Sequence, residues 1–511
     1  MNTVSERSAL PAALPASTPD TSRGSASPWA ARVRQRLSSY AAGVTAITAA
    51  GLAARLLFLG HQPLWRDEAF TAVVVRRPWG SMFDAVRADS APPLAYVFDH
   101  VVAGISSSPA GLRLVSAIAG AGAIPLGAAI GRRIAGARCA LVSAALCAVA
   151  PALLLSARDA RMYALATTLV MASCLALWRA IESPSRRRYG LYALVTALAL
   201  YTDYFAALAV AAQIIALVAL RAGWRRVLTS LGAAALAGFL LLPWLVVARN
   251  QLGHAGSSFW VPQVGFTSVS GELIQFYSGP PLDPWVPAKA LFQTFQGFAV
   301  TVGVVASIAL VIWRRRLQPR RRRAATFFAI CGIGAVLILL LISAWRPLVD
   351  GRYASVVWGV LFPLVAAGIT LALRRWVLVT ALAVMVAAST ALSVAATHPD
   401  TPAAVTSIER HLGADDFVDA YPTQYLLFLY YGDARLLAHT HVVGTDVPWF
   451  WGTAAYPPGA IVRSIPSRVT ANRGTIYYAS EPGDPGFPSP KGYALRSTQC
   501  WTGVCVSAYR P

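Results

Sequence analysis

The sequence has little charge and almost no lysine. Charged residues make up 13% of the 511 positions, whereas 56% are hydrophobic and the mean hydropathy is +0.54. A soluble core of this length cannot bury so much apolar surface, so the composition predicts a membrane protein and argues against a soluble one. Lysine occurs only at Lys289 and Lys491, beside abundant alanine and arginine. This bias is typical of a GC-rich genome, as in actinobacteria.

The sequence also lacks a basic domain, although its formal net charge is +22. Its arginines occur in short clusters between apolar runs, as at 132–133, 186–188 and 320–323. A nucleic-acid-binding protein needs a basic face on a soluble domain, so nucleic acid is not expected as a partner. The clusters instead indicate how loops are distributed across a membrane, with membrane lipids as partners.

Apolar runs of membrane-spanning length dominate the first four-fifths of the chain. The first covers residues 40–60, and ten others make eleven, near 111–131, 137–156, 161–180, 189–201, 204–220, 227–248, 290–313, 324–345, 353–373 and 376–396. The apolar segment Pro92–Ile105 is too short to span and fits an interfacial helix. Residues 1–39 are rich in Ser, Pro, Ala and Arg, which predicts a disordered tail and not a cleavable signal.

The arginine clusters fall in the tail and in every second loop between these runs. Loops that carry arginine clusters are usually cytoplasmic, so the N-terminus is expected in the cytoplasm. The loops 62–90 and 249–289 and the segment after 396 are then expected outside. The prediction is an α-helical polytopic protein of the cytoplasmic (inner) membrane, with its transmembrane domain over residues 40–396.

Residues 397–511 differ in character, with Pro, Gly, Asp, Thr and aromatic residues in place of apolar runs. Short alternating stretches at 416–420 and 475–479 predict strands, and the length suits a small extracytoplasmic α/β domain with its own core. Cys500 and Cys505 are its only cysteines, and a disulfide between them fits an oxidising compartment. The remaining cysteines lie in apolar runs and are interpreted as packing residues: Cys139, Cys147, Cys174 and Cys331.

Two adjacent carboxylates, Asp67 and Glu68, follow the first apolar run in the stretch Pro63–Phe70. Ionisable groups at the edge of a membrane domain usually mark a place where a polar substrate or ion is handled. The alternative is that they only mark a solvated loop. Further polar residues of the outward loops return to the same membrane face and are candidate substrate-binding residues: Arg158, Asp159, Arg161, Tyr163, Asp203, Arg249, His254, Arg346, Arg352 and Tyr353.

Four short motifs occur in a fixed order between about Gly51 and Leu373. They are Trp65–Ala69 followed by Pro92–Tyr96, then Arg113-Leu114 with a Gly-Arg-Arg turn at 131–133, then Pro151 with Ser156–Leu165 and Tyr201–Phe205, and finally Gly351–Tyr353 with Pro363. Their combination resembles the integral-membrane GT-C glycosyltransferases, in particular the group of dolichyl-phosphate-mannose protein mannosyltransferases and bacterial lipid A aminoarabinose transferases.

The resemblance implies an inverting enzyme that passes a sugar from a polyprenyl-phosphate carrier to an acceptor hydroxyl at the outer membrane face. Such attack needs a carboxylate to accept the hydroxyl proton; Asp67 is the candidate base, and Glu68 would orient acceptor or solvent. The leaving phosphate calls for arginine. Arg352 is the first candidate, with Arg346, Arg158, Arg161 and Arg249 behind it. Mannose is favoured over arabinose or an amino sugar, and the acceptor is a glycan, lipid or protein of the cell envelope.

The chain departs from the family pattern at Ala91 and Asp203, where relatives often carry histidine, and at Asp159, where glutamate is frequent. These positions concern the acceptor or metal environment. No His/Asp cluster has ligand spacing, so no cofactor is expected to be required, although a divalent cation stays possible.

Several alternatives remain open from the residues alone. Asp159 is either a substrate or metal contact or the partner of Arg158 or Arg161, and Arg352 is either a phosphate ligand or an interfacial anchor. A lipid-linked sugar transporter would show internal repeats, and none is visible. A non-catalytic scaffold whose outer domain binds a wall polymer would tolerate amide replacement of its acids.

Overall fold

The computed structural model describes residues 28–251, 261, 263, 265–278, 289–372, 379–380, 383–387, 390–391 and 398–511. Most of the tail predicted for 1–39, and most of the last apolar run near 376–396, lie outside the described residues. The chain divides into two compact units, Met1–Ala42 and Gly43–Pro511. A helix runs from Pro28 to Leu56 and so begins within the segment interpreted as a tail. The site and the sheet described below belong to the second unit.

Among the described residues, helices make up the second unit as far as Ala372. After the Pro28–Leu56 helix they cover Arg66–Val75, Trp79–Ala88, Leu94–Ala103, Pro109–Leu112, Leu114–Ala135, Ala137–Val149, Pro151–Ser156, Tyr163–Glu182, Arg186–Thr202, Ala206–Ala219, Trp224–Val247, Phe266–Ser278, Lys289–Trp313, Pro319–Ala329, Ala335–Ser343, Gly351–Ala354 and Trp358–Ala372. Single 3₁₀ or π turns connect some of them, at Arg314–Arg316, Ile330–Gly334 and Ser355–Val357.

The long helices match most of the predicted apolar runs in position. Among the described residues, six are long and apolar enough to cross a membrane: Pro109–Ala135, Tyr163–Glu182, Trp224–Val247, Phe292–Arg316, Pro319–Ser343 and Gly351–Ala372. Leu94–Ala103, Ala137–Val149 and Ala206–Ala219 are shorter apolar helices. The helical membrane fold is therefore confirmed, but the count of eleven spans is not.

The run predicted at 137–156 is broken in two. One helix ends at Val149 and the next begins at Pro151. Proline has no backbone N–H to donate a hydrogen bond, and it disfavours helical backbone at the residue before it. Ala150 accordingly has an extended ψ of 124°. The break turns the chain into the loop that carries Arg158, Asp159 and Arg161.

The C-terminal domain contains a six-stranded sheet, which confirms the predicted small α/β domain. Its strands are β1 (Phe417–Ala420), β2 (Thr440–Val443), β3 (Ile461–Val462), β4 (Ile476–Ser480), β5 (Ala494–Trp501) and β6 (Val504–Arg510), in the order β3-β2-β1-β4-β6-β5. The first four are parallel, and β6 and β5 are antiparallel. Cys500 and Cys505 lie opposite each other on β5 and β6 and form a disulfide.

The helices of this domain are Thr401–His411, Pro422–Tyr431, Ala434–His439 and Ser467–Ala471, with 3₁₀ turns at Trp449–Trp451 and Thr453–Ala455. The Thr401–His411 and Pro422–Tyr431 helices contribute Val405, Ile408, Tyr425 and Phe428 to a core shared with the sheet.

The C-terminal domain packs on the helix Arg66–Val75, which we call the aspartate helix because it carries Asp67. The hydroxyl of Tyr431 accepts a hydrogen bond from the backbone nitrogen of Leu64 at 2.7 Å. The Nδ1 atom of His398 lies 2.8 Å from the carbonyl oxygen of Pro63. Both contacts hold the loop that leads into the aspartate helix, so this loop is positioned by the membrane helices and the C-terminal domain together.

Candidate active site

The aspartate helix begins with two acids in its first turn, where they interact favourably with the partial positive charge of a helix N-terminus. The Glu68 carboxylate accepts a hydrogen bond from the backbone nitrogen of Trp65 at 3.3 Å. This bond satisfies a backbone donor at the start of the helix, as the acid of a capping box does. It also fixes which way the neighbouring Asp67 points.

Asp67 is the most accessible acid of this turn, with 19% of its side chain exposed. Its Oδ2 atom lies 2.8 Å from Nη1 of Arg352, and its Oδ1 atom lies 3.3 Å from Nε of Arg66. Burial raises the pKa of Asp67, but Arg66, Arg352 and Arg161 offset this effect and hold the pKa below its ordinary value. Asp67 is therefore an ionised carboxylate at neutral pH.

Arg352 is oriented by a second acid. Asp350 caps the short Gly351–Ala354 helix by accepting from the Arg352 backbone nitrogen at 3.0 Å, and the same oxygen accepts from Arg352 Nε at 2.9 Å. A Cβ at Gly351 would meet the amide end of the Gln275 side chain, which packs against this turn. The guanidinium is thus held between Asp350 and Asp67, with the Trp65 ring 6.0 Å away.

Glu68 has a different environment from Asp67, because its side chain is fully buried. Both of its oxygens pair with Arg113, at 2.6 Å each, and one also accepts from the backbone nitrogen of Ala160 at 2.9 Å. Arg113 donates further to the carbonyls of Leu59, Gln62 and Pro63 at 2.9 Å. This geometry favours a positioning role for Glu68, whereas the sequence suggested contact with acceptor or solvent.

Asp159 approaches the same turn from the loop before the Tyr163–Glu182 helix. Its Oδ1 atom accepts from Nε1 of Trp65 at 3.1 Å. Burial and the nearby Glu68 charge raise the pKa of Asp159 to about 8. A carboxyl with this pKa carries a proton at neutral pH, so Asp159 is a neutral group beside the ionised Asp67.

The two arginines of this loop, Arg158 and Arg161, have different partners. Arg158 Nη2 donates to the carbonyl oxygens of Ala54 and Leu57, the latter at 2.7 Å, so this side chain anchors the preceding helix. Burial lowers the pKa of Arg161, but Tyr96, Tyr163 and Asp67 together raise it above its ordinary value. The Arg161 Nη1 atom is 3.4 Å from the hydroxyls of Thr71 and Tyr96. Its buried Nε atom has no hydrogen-bond partner among the described residues. Arg161, unlike Arg158, belongs to the surroundings of Asp67.

Tyr353 and Asp203 form the far side of the cluster. The Tyr353 ring stacks on Phe205 with centroids 4.4 Å apart, and Asp203 Oδ1 accepts from the Phe205 backbone nitrogen at 2.8 Å. The Asp203 Oδ2 atom is buried and has no hydrogen-bond partner in the described part of the chain. Burial raises the pKa of Asp203 to about 7. Tyr163 is buried and interacts electrostatically with Arg161, Arg352 and Asp67.

Three of the predicted residues have no described contact with Asp67 on which to place them. Arg249 and Arg346 are exposed, and His254 lies outside the described residues. Two residues that the sequence did not single out as site residues do join the cluster around Asp67. In the sequence, Arg113 is recognisable only as the residue that begins an apolar run. His398 is recognisable only as the first titratable residue after the last apolar run. No group of three or more His, Cys, Asp or Glu side chains lies close enough to hold a metal ion within the described ranges.

Comparison with known proteins gives independent information on this arrangement. The profile of the dolichyl-phosphate-mannose-protein mannosyltransferase family matches residues 89–247. The crystal structure of ArnT from Cupriavidus metallidurans in the apo state matches with a TM-score of 0.60 at 14% identity, covering 91% of this chain and 97% of that one. The undecaprenyl-phosphate-bound structure of ArnT matches with a TM-score of 0.59 at 15% identity, with the same coverage. The chain therefore has the fold of ArnT, which is the GT-C fold. No curated protein sequence matches it significantly.

The fold match covers nearly the whole length of both chains. The family profile covers Arg113, Asp159, Arg161 and Asp203, whereas Asp67 and Arg352 lie on either side of it. The resemblance that the sequence motifs indicated is thereby confirmed.

Proposed function

We propose that this glycosyltransferase moves a sugar, with mannose favoured, from a polyprenyl-phosphate carrier to an acceptor hydroxyl at the outer face of the cytoplasmic membrane. The observation that carries the proposal is the convergence of Asp67 and Arg352, 285 residues apart in sequence, at 2.8 Å. A general base and a cation for a phosphate are the two groups that this transfer requires. The undecaprenyl phosphate bound to ArnT supports a polyprenyl carrier.

In the proposed reaction the acceptor oxygen attacks the anomeric carbon, with inversion, as the bond from that carbon to the phosphate oxygen breaks. Asp67 accepts the hydroxyl proton, and the lipid phosphate leaves with the electron pair of the broken bond. The low pKa of Asp67 keeps it unprotonated, which is the form that a general base needs before the reaction. The guanidinium of Arg352 stabilises the charge that develops on the phosphate, because its planar fork can donate to two phosphate oxygens.

The ion pair between Asp67 and Arg352 also suggests an order of binding. While the two side chains are paired, the Asp67 carboxylate is engaged by a cation and is a poor proton acceptor. A donor phosphate competes for Arg352 and so loosens its hold on Asp67. Donor binding would therefore prepare the base for the acceptor. Arg161, buried near Asp67, would keep the carboxylate ionised in that state.

The proposed orientation follows from the arginines. Arginines lie in the last turn of the Leu114–Ala135 helix, in the last turn of the Tyr163–Glu182 helix and in the first turn of the Arg186–Thr202 helix: Arg132, Arg133, Arg179 and the cluster 186–188. Such clusters mark cytoplasmic ends. Asp67, the loop with Asp159 and the C-terminal domain would then lie outside the cytoplasmic membrane. The carrier, the acceptor and the glycan, lipid or protein product would be handled there.

The test is transfer of radiolabelled sugar to endogenous acceptors in membranes that carry wild type or Asp67→Asn. Polyprenyl-phosphate-mannose and polyprenyl-phosphate-arabinose are compared as donors. We expect transfer from one of them, reduced by about 10²–10⁴-fold in Asp67→Asn at equal protein level, since this is the usual contribution of a general base. Asp84→Asn is the matched control, because its acid is 63% exposed on the next helix. Equal transfer by wild type and Asp67→Asn would contradict the role of Asp67, and absence of transfer from either donor would contradict the carrier assignment.

A further inference from the structure

The sheet of the C-terminal domain has a topological switch point. From β1 the chain moves to β2 and then β3 on one side of the sheet, and it crosses to β4 on the other side of β1. In open parallel α/β sheets, ligands bind in the crevice at the carboxyl ends of the two strands where the order reverses. Here those strands are β1 and β4, so the crevice lies between Tyr421, which follows β1, and Glu481, which follows β4.

The crevice is lined by polar groups in fixed positions. The Glu481 carboxylate accepts from Gln424 Nε2 at 3.1 Å. The Asp484 carboxylate accepts from the Thr423 hydroxyl at 2.8 Å and from the Glu481 backbone nitrogen at 2.7 Å. These bonds hold two acceptor groups at the rim of the crevice, where both side chains are partly exposed.

Aromatic rings occupy the same edge. The half-buried rings of Tyr421 and Trp451 have centroids 6.4 Å apart, and the buried Tyr478 ring lies 6.5 Å from Tyr421. Partly exposed aromatic rings beside a few fixed hydrogen-bonding groups are the usual lining of a small-molecule or glycan site.

One residue, Arg66, contacts both the aromatic lining of the crevice and Asp67. The Arg66 guanidinium lies 4.7 Å from the centroid of the Trp451 ring, a cation–π contact. The same side chain places its Nε atom 3.3 Å from Asp67 Oδ1. Trp451 is therefore separated from the candidate base only by Arg66, and the carboxyl edge of the sheet faces the aspartate helix.

We propose that this crevice is the acceptor subsite and that its ligand is a carbohydrate. The inference rests on the proposed transfer reaction and names its acceptor class. A sugar ring has an apolar face that packs on Trp451 or Tyr421 and hydroxyls that donate to the Glu481 and Asp484 carboxylates. An acyl chain would have to desolvate these two acids without forming hydrogen bonds to them, which is unfavourable. A hydroxyl of the bound sugar is then delivered towards Asp67.

The experiment measures binding of short manno- and arabino-oligosaccharides to the purified full chain, together with binding of undecaprenyl phosphate. We expect the wild type to bind an oligosaccharide, and Trp451→Ala and Tyr421→Ala each to weaken that binding about tenfold, the size expected for loss of one aromatic contact. Trp451→Phe keeps a ring face and should retain most of the affinity. Binding of undecaprenyl phosphate should stay unchanged in all three variants, which also shows that they fold.

Trp224→Ala is the matched control, since this tryptophan is 73% exposed on a membrane helix far along the chain from the crevice. Arg66 packs on Trp451, whereas the Tyr421 ring neighbours Trp451 and Tyr478, so the Tyr421 variant separates loss of ligand binding from disturbance of Asp67. Failure of the wild type to bind oligosaccharide, or equal binding by wild type and Trp451→Ala, would overturn the acceptor subsite. Absence of sugar transfer from polyprenyl donors in wild-type membranes would instead overturn the proposed reaction. The two failures are therefore distinguishable.

Discussion

Glu68 and Arg113 form an ion pair through two hydrogen bonds of 2.6 Å, and at most 2% of either side chain is exposed. Arg113 also donates to three carbonyls of the loop before the aspartate helix. The pair thus connects the start of a membrane helix to the turn that carries Asp67. The adjacent acids Asp67 and Glu68 have opposite tasks, one facing the site and the other holding it in place.

Breaking this pair should destabilise the protein. Glu68→Gln leaves the Arg113 charge buried without its counter-ion, and removal of one partner of a buried pair costs about 3–5 kcal/mol. We expect a clear fall in the unfolding temperature of the purified protein. The matched control is Asp84→Asn, which breaks the exposed pair with Arg87 and should cost no more than about 1 kcal/mol. Equal unfolding temperatures for the two variants would contradict the positioning role.

Replacement of Arg352 should weaken binding of the polyprenyl-phosphate donor. Arg352→Ala removes charge-assisted hydrogen bonds, each worth about 1.5–3 kcal/mol, so KM for the polyprenyl-phosphate donor should rise about tenfold or more. Arg352→Lys keeps the charge but not the planar fork and should recover part of the loss. Arg249→Ala, at an exposed arginine, is the control. Steady-state kinetics with varied donor checks this, and a donor KM unaltered by Arg352→Ala would exclude Arg352 as the phosphate ligand.

The protonation of Asp159 should make stability depend on pH. Its pKa is about 4 in an unfolded chain and about 8 in the folded protein, so the folded state binds the extra proton between these values. The free energy of unfolding should therefore fall as pH rises from about 4 to about 8. Asp159→Asn mimics the protonated acid and can keep the hydrogen bond from Trp65. Unfolding temperatures across this pH range should drop more steeply for wild type than for Asp159→Asn, and parallel curves would refute the assignment.

The disulfide should contribute modestly to the stability of the C-terminal domain. Cys500 and Cys505 are five residues apart, and closing so short a loop in the unfolded chain is worth about 2 kcal/mol. The double change to serine should lower the unfolding temperature of the full chain without affecting sugar transfer. Thermal unfolding with and without a reducing agent measures the effect, and wild type alone should respond to the reductant.

The sequence predicted the helical membrane fold and the small α/β domain, and it singled out the motif around Asp67, whose function stays a prediction. These depend on local signals: long apolar runs, strand-like alternation, and acids at the end of a run. The break at Pro151 was also present as a local signal, because proline interrupts a helix in any context. It was nevertheless interpreted as part of one continuous span.

The sequence could not predict which charges pair. Glu68 and Asp67 are neighbours with the same chemistry, and only the fold decides that Arg113 meets the first and Arg352 the second. Arg158 and Arg161 likewise belong to one loop, yet Arg158 turns to backbone carbonyls while Arg161 stays near Asp67. Such differences depend on long-range packing, which cannot be predicted from the spacing of residues in the sequence. The contact of the C-terminal domain with residues 63–66 has the same origin.

The bonds from His398 to Pro63 and from Leu64 to Tyr431 restrict how this protein can diversify. A domain joined only by a linker can be exchanged between relatives without changes elsewhere. Here both bonds end on the loop that leads into the aspartate helix. A transplanted C-terminal domain would have to bring matching residues for that loop, so domain and loop are expected to be inherited as one block.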